Sequence, residues 1–113
     1  MAPLQGPRDD PAVTGGGATA PAAPSGLTAT AASRTQARLT WTDNVDDETG
    51  DRIERCQGTG CTTFTEIATV GAGTTTLLDG GLTRNTAYTY RVRAFNTTGT
   101  SAYSNTATTR TTR

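Results

Sequence analysis

The segment from Leu82 to Asn96 constrains the fold of this chain more than any other part of the sequence. From Tyr88 onward, large side chains alternate with polar ones. The large side chains share one face and are Tyr88, Tyr90, Val92 and Ala94. The opposite face carries Thr89, Arg91 and Arg93. A period of two is typical of a β-strand with one buried and one solvent-facing side. The sequence therefore predicts such a strand, preceded by a turn that starts at Leu82.

The composition favours a single all-β domain. The chain has 113 residues, enough for one modest core. Roughly a quarter of them are threonine, a β-branched residue that suits strands. The ten basic and ten acidic residues cancel, so no net field attracts nucleic acid or an acidic membrane surface. No apolar run is long enough to span a bilayer, and we expect no membrane span.

Six further short segments carry strand patterns between turn residues. They cover 27–31, 37–41, 51–56, 64–70, 75–77 and 103–109. In the fourth segment the spacing of Phe64 and Ile67 departs from two, which predicts a bulge between them. Seven short strands in about ninety residues predict an all-β, seven-stranded Greek-key sandwich of immunoglobulin-like architecture. The inward aromatic residues of this arrangement are Trp41, Phe64, Tyr88 and Tyr90.

Two cysteines, Cys56 and Cys61, lie five positions apart, and three interpretations compete. The chain has no histidine and no further cysteine to complete a zinc site, so we expect no metal here. Redox pairs usually have two intervening residues and begin a helix, whereas this pair lies between strand patterns. The remaining interpretation is a disulfide across a hairpin, which would place the domain in an oxidising compartment.

The first 23 residues differ in composition from the rest. They hold four of the five prolines and the triple glycine at 15–17, with almost no bulky apolar side chain. Such a segment cannot bury enough surface to order itself, and it lacks the apolar centre of a signal peptide. We therefore expect a flexible linker or tail at 1–23, a domain at 24–110 and a short C-terminal tail at 111–113.

Few residues offer chemistry. The acidic loop at 43–48 is the one cluster of potential calcium ligands, but its spacing matches no EF-hand, and a solvated loop is the simpler interpretation. Without histidine, or a serine in a nucleophile turn, we expect no catalytic residue and no cofactor. Arg91 and Arg93, joined by Arg52, share a solvent-facing side and are expected to pair with Glu54. Without interleaved exposed aromatic residues, nucleic-acid binding is not expected.

The order and spacing of several short motifs resemble a fibronectin type III domain of the bacterial, multimodular kind. The resemblance covers Pro24 to about Thr109. Its carriers are PSGL at 24–27, LTWT at 39–42, TG at 49–50, IER at 53–55, YRVRAFN at 90–96, then Gly99, Ser101 and YS at 103–104. The resemblance implies that Trp41 is the core tryptophan. It also implies that Leu82 and Tyr88 form a tyrosine corner, whose hydroxyl bonds to upstream backbone.

Two positions depart from the family pattern. Asp51 stands where such domains usually carry an aromatic residue, which predicts a weakened edge of the core. Leu78 falls on the face opposite Leu77 and is expected to be exposed. Together these positions would form a patch covered by the tail or by a partner.

The resemblance implies a non-catalytic, extracellular spacer or accessory binding module of a bacterial multidomain protein. Its partners would be neighbouring domains or subunits, with weak polysaccharide contact at most, because the aromatic residues are assigned to the core. The alternative is a structural subunit of an assembly, such as a virion decoration protein or an extracellular or cell-surface filament. In that case the N-terminal tail would dock on a neighbouring subunit as an added strand.

Overall fold

The described part of the chain is a two-sheet β-sandwich. A computed structural model describes residues 21–44 and 48–113, so most of the predicted N-terminal tail and the middle of the acidic loop lie outside it. The strands are β1 (Ser25–Ala31), β2 (Ala37–Thr42), β3 (Gly50–Gln57), β4 (Thr65–Gly71), β5 (Thr76–Asp79), β6 (Ala87–Phe95) and β7 (Ala107–Arg110). Over the same ranges, no helix has the length and apolar character needed to cross a membrane.

All the strand pairings are antiparallel. One sheet has the order β1-β2-β5 and the other has the order β4-β3-β6-β7. Strands β3 and β6 pair over eight residues at the centre of the larger sheet, from Gly50 opposite Phe95 to Gln57 opposite Tyr88. The predicted seven-stranded Greek-key sandwich is therefore confirmed.

The core lies between the sheets and is built from inward-facing positions. Its buried members are Leu27, Ala37, Leu39, Trp41, Ile53, Leu82, Tyr88, Tyr90 and Val92. In β6 the burial alternates from Tyr90 onward, where Tyr90, Val92 and Ala94 are all 0% exposed, whereas the outward Thr89 is buried as well. In β2 the pattern of buried and exposed residues alternates strictly as well. The period of two therefore predicts the inner faces of these strands, because each has one dry side.

A polar bridge crosses the core and joins the sheets. The Tyr90 hydroxyl donates a hydrogen bond to Asp79 Oδ2 in β5 at 2.8 Å. Arg55 Nη1, from β3, donates to the same oxygen at 2.9 Å. Burial, and then the hydrogen bond to Asp79, raise the pKa of the Tyr90 hydroxyl. The donors compensate the buried carboxylate, which would otherwise be costly inside a protein.

The corner after β5 is held by a side chain and by backbone. The Thr83 amide donates to the Tyr88 hydroxyl at 2.9 Å, and the Leu82 amide donates to the Thr35 carbonyl at 3.0 Å. The Leu82 and Tyr88 side chains are both 5% exposed and belong to the core. The corner thus connects β5 of one sheet to β6 of the other, with Tyr88 bonded to the turn that precedes it.

Most predicted strand limits differ from the observed ones by one or two residues, the start of β7 differs by four, and one predicted core residue is wrong. Strand β7 begins at Ala107 and not near Tyr103, because the amides of Ser101 and Ser104 pair with β6 while their hydroxyls accept the β6 amides. Strand β5 begins at Thr76, one residue later than expected. Phe64 lies outside the core cluster, on the outer side of the larger sheet.

The predicted bulge lies in β4. Ile53 pairs with Ala68 while Glu54 pairs with Glu66, which leaves Ile67 as the extra residue. The extra residue changes which side chains of β4 face the core, and Ile67, Ala68 and Val70 all pack partly against it. Such bulges shift the side-chain alternation of an edge strand by one position.

The packed domain extends beyond the predicted limits at both ends. Pro21 and Pro24 are buried, and the Asn44 side-chain amide donates to the Ala23 carbonyl at 2.9 Å. Thr111, assigned from sequence to the C-terminal tail, is 2% exposed, and its hydroxyl donates to the Thr83 carbonyl at 2.6 Å. Ala23 and Thr111 are held in place by these hydrogen bonds to neighbouring loops.

Leu78 and Asp51 do not form a common patch. Leu78 is 42% exposed on β5 of the smaller sheet, as expected. Asp51 is 0% exposed and belongs to β3 of the larger sheet. The expectation of a joint patch is wrong because the two side chains lie in different sheets.

Strands β3 and β4 approach each other closely at Gly50. A Cβ at this position would collide with the Val70 carbonyl oxygen and touch the Phe95 ring. We expect Gly50→Ala to destabilise the domain by about 1–3 kcal/mol, because the strands must move apart. Urea denaturation followed by tryptophan fluorescence measures this change.

Gly71→Ala is the matched control, because Gly71 pairs with Gly50 and a Cβ there meets no atom within 4 Å. Its free energy of unfolding should stay within about 0.5 kcal/mol of the wild type. An equal loss in both variants would show that the close approach at Gly50 does not matter.

Candidate functional site

Two clusters of polar side chains could support a function, and the first is a group of carboxyls at the end of the acidic loop. Asp51 is fully buried, and Trp41 Nε1 donates a hydrogen bond to its Oδ2 at 3.2 Å. The expectation that Asp51 weakens the core edge thus needs correction, because this carboxyl satisfies the indole N–H. Burial raises the pKa of Asp51, and the bond from Trp41 opposes this shift.

Glu48 ends the acidic loop and is buried as well. Only 7% of this residue is exposed, and the Gly73 amide donates to its Oε2 at 3.3 Å. Burial raises the pKa of Glu48 to about 7, with a hydrogen bond to Asp43 and the charge of Asp51 acting in the same direction. A solvated loop was expected, but at Glu48 the loop folds against the β4–β5 turn instead.

The Glu48 and Asp51 carboxyls have more oxygen atoms than there are hydrogen-bond donors around them. Glu48 Oε1 and Asp51 Oδ1 are buried without a hydrogen-bond partner in the structure. Two adjacent buried carboxyls are most stable when they retain a proton between them. Among residues 21–44 and 48–113, no three acidic, cysteine or histidine side chains are placed to hold a metal ion. The calcium hypothesis also depended on Asp46 and Asp47, which lie outside the described residues.

The second cluster covers the outer face of the larger sheet, and we call it the arginine–aromatic stack. It consists of Phe64, Arg91, Tyr103 and Arg93. The Arg91 guanidinium carbon lies 4.0 Å from the Phe64 ring centroid and 3.7 Å from that of Tyr103. The guanidinium carbon of Arg93 lies 4.8 Å from the Tyr103 centroid. Rings and guanidinium groups therefore alternate across this face, an arrangement stabilised by cation–π attraction.

Glu54 lies beneath the stack and holds it together. Its carboxylate accepts hydrogen bonds from Arg91 Nε at 2.9 Å and from the Tyr103 hydroxyl at 2.9 Å, and Arg93 Nη2 lies 3.7 Å away. Burial would raise the pKa of Glu54, but the bonds from Arg91 and Tyr103 and the charges of the arginines outweigh it and lower that pKa. The predicted pairing of Arg91 and Arg93 with Glu54 is confirmed.

Sequence reasoning missed the two rings of the stack. Tyr103 and Phe64 come from connections that fold back over the sheet, and both are half-buried. The alternation within β6 gives no information about which loop residue covers Arg91. One signal was available: Phe64 follows the second cysteine by three residues, so a closed hairpin would return it towards β3.

The predicted disulfide between Cys56 and Cys61 is confirmed, and it shapes the connection that leads to Phe64. The two Cα atoms are 6.1 Å apart, within the usual range for a disulfide. The Gly58 carbonyl inside the loop accepts a bond from the Thr89 hydroxyl at 2.8 Å, and the Gly58 amide donates to the Ala87 carbonyl at 2.8 Å. The bridge therefore fixes the β3–β4 turn against β6.

Stability should fall with rising pH because of Glu48. Its folded-state pKa is raised from 4.5 to about 7, so the folded chain keeps a proton that the unfolded chain releases. The resulting stabilisation is complete below about pH 4.5 and is lost as the pH rises through about 7. Thermal unfolding between pH 5 and 8.5 should show a falling Tm in the wild type and a flatter profile in Glu48→Gln.

Glu66→Gln is the control for this pH series, because Glu66 is exposed on β4 and away from the carboxyl cluster. It should keep the wild-type slope. A slope that persists unchanged in Glu48→Gln would contradict the assignment of the proton to Glu48.

Arg91→Lys keeps the charge but removes the planar group that stacks between two rings. We expect a loss of about 1–2 kcal/mol in the free energy of unfolding, because an ammonium cannot reproduce both the stacking and the paired donation to Glu54. Arg84→Lys, at an exposed turn, should change it by less than about 0.5 kcal/mol. Equal effects in urea denaturation would show that the stack contributes nothing to stability.

Comparison with known proteins identifies the family. Residues 22–110 match the sequence profile of the fibronectin type III domain. Exoglucanase B of Cellulomonas fimi is 42% identical over 82 residues, which are 72% of this chain but only 7% of that protein. The chain thus spans a small part of this relative's length.

Solved structures agree with the sequence match. A Fn3-like protein from Clostridium thermocellum superposes with a TM-score of 0.69 at 29% identity, covering 84% of this chain and 97% of that one. A crystal structure of titin domains superposes with a TM-score of 0.72 at 28% identity, covering 82% of this chain and 32% of that one. The sequence profile, the relative and the solved structures all agree with the sandwich described above. The chain therefore belongs to the fibronectin type III family.

Proposed function

We propose that this chain is a non-catalytic spacer and accessory module of a bacterial multidomain protein that acts outside the cell. The observation that carries the proposal is the position of the two ends of the packed domain. Such a module sets the distance and orientation of the domains on either side of it. It performs no chemistry itself.

The ends of the packed domain lie at opposite poles. The N-terminal pole contains Ala23, bonded to Asn44, and the C-terminal pole contains Thr112, whose amide donates to the Ser33 carbonyl at 3.4 Å. Strand β1 runs from one pole to the other over seven residues, about 23 Å at the usual rise per residue. A domain with this geometry adds its whole length to a chain of domains in series.

The relative supports the same role. In Exoglucanase B the matching segment is a small fraction of a much longer protein, as expected of one module among several. The disulfide favours an oxidising, extracellular compartment. The domain offers little exposed aromatic surface for sugar binding, because Trp41, Tyr88 and Tyr90 are buried and the Phe64 ring stacks on Arg91.

Energy transfer tests the spacer geometry. The chain is placed between a donor and an acceptor fluorescent protein, and the transfer efficiency is measured as urea is increased. We expect a constant efficiency up to the unfolding transition, because a folded domain holds the ends apart at a fixed distance. In the Gly50→Ala variant the change should begin at lower urea.

Light scattering of the isolated chain distinguishes the alternative function. A spacer should be monomeric at micromolar concentration, whereas a subunit of an assembly should form large oligomers in which the N-terminal tail is protected from proteolysis. A large oligomer, or a transfer efficiency that drifts before unfolding, would contradict the spacer function.

A further inference from the structure

We propose that Arg52 and Arg93, on the outer face of the larger sheet, form a docking point for a carboxylate-rich segment of a neighbouring protein domain. The inference rests on the proposed function in one respect only, namely that the partner is a neighbouring domain. The chemistry that it requires of the partner is an exposed pair of Asp or Glu side chains.

The two arginines are placed directly opposite each other. Arg52 in β3 lies opposite Arg93 in β6, and these two strands are the central pair of the larger sheet. Residues opposite each other in antiparallel strands have Cα atoms about 4.5–5.5 Å apart, and like charges at this distance repel. A carboxylate between the two guanidinium groups would turn this repulsion into two attractive contacts.

Each guanidinium is already held in place by a ring. The guanidinium carbon of Arg52 lies 4.4 Å from the Phe95 ring centroid, and that of Arg93 lies 4.8 Å from the Tyr103 centroid. Both arginines are partly buried, and 26% of the Arg93 side chain is exposed. Since the rings already hold the arginine side chains in place, these side chains would lose less conformational entropy when a partner binds.

Among the described residues, the carboxylates on this face do not pair closely with every arginine. Glu54 is buried and bonded to Arg91 and Tyr103, and it reaches Arg93 only at 3.7 Å. Glu66 lies opposite Glu54 on the edge strand, where it accepts a bond from the Thr69 hydroxyl. Among the described residues, Arg52 and Arg93 thus lack the close carboxylate contact that Arg91 makes with Glu54 at 2.8 Å.

The position and shape of the face favour a protein partner. Arg52 lies two residues after the start of β3 and Arg93 two residues before the end of β6, which places both beside the N-terminal pole. A domain attached on that side of the chain would reach them. The exposed groups are arginine and aromatic side chains, the types enriched at the centres of protein interfaces. The rings already stack on guanidinium groups, which leaves little free aromatic surface for a sugar.

The test uses a hexa-glutamate peptide as the probe and the full chain labelled with ¹⁵N. At constant ionic strength, we expect the side-chain Nε–Hε signals of Arg52 and Arg93 to shift on titration. Arg52→Gln and Arg93→Gln should each weaken binding about threefold, and the double variant about tenfold. Arg52→Lys keeps the charge but loses the planar donor pair, so it should also weaken binding about threefold.

Arg38→Gln and Arg84→Gln are matched controls, because both arginines are exposed and lie away from this face. They should leave the affinity unchanged. Equal loss in the controls would overturn the proposal, because it would show only general charge attraction, and so would the absence of any shift. Tighter binding of an oligogalacturonate of equal charge would overturn the assignment to a protein. None of these outcomes alters the energy-transfer result, so the spacer function stands or falls separately.

Discussion

The sandwich depends on a single residue that contributes to both its apolar core and its polar bridge. The Tyr90 ring is completely buried between the sheets, and its hydroxyl reaches Asp79 in the opposite sheet. Arg55 closes the bridge from the rim of the core. Because β6 is paired on both sides, with β3 and β7, a fixed Tyr90 also fixes the register of the larger sheet. The corner at Tyr88 and the outer arginines take their positions from that register.

The sequence predicts the inner face of this structure better than the outer one, for a physical reason. Burial between two sheets imposes a period of two, so the residues at 88–94 reveal their inward side without any knowledge of their neighbours. The residues that cover the outer face do not follow such a period. Tyr103 reaches Arg91 because Ser101 and Ser104 pair irregularly with β6, and this delays the start of β7 to Ala107. Such contacts depend on the path of a connection, which leaves no periodic signal.

Asp51 shows how a local departure from a family pattern becomes a structural feature. A carboxyl at an aromatic position predicts a defect, but here Asp51 accepts the indole N–H of Trp41. The nearby Glu48 accepts the Gly73 amide of the β4–β5 turn. Burying two carboxyls together is tolerated when one of them keeps its proton. The same pair therefore ties the acidic loop to the fold and makes that connection sensitive to proton concentration. The Glu48 and Asp51 carboxyls thus help to close one end of the sandwich.

The spacer function proposed above would require the domain to resist tension, and the hydrogen bonding suits this requirement. Tension between Ala23 and Thr112 acts along the strands, because the two residues lie at opposite poles. The force therefore acts as shear along the β1–β2 and β6–β7 strand pairs. The hydrogen bonds of each pair then share the load and do not break one at a time. Asn105 adds a direct link, since its side chain bonds both the amide and the carbonyl of Leu27 at 2.9 Å. That link holds β1 to the connection before β7, so the first strand cannot leave the sandwich without breaking contacts to the last.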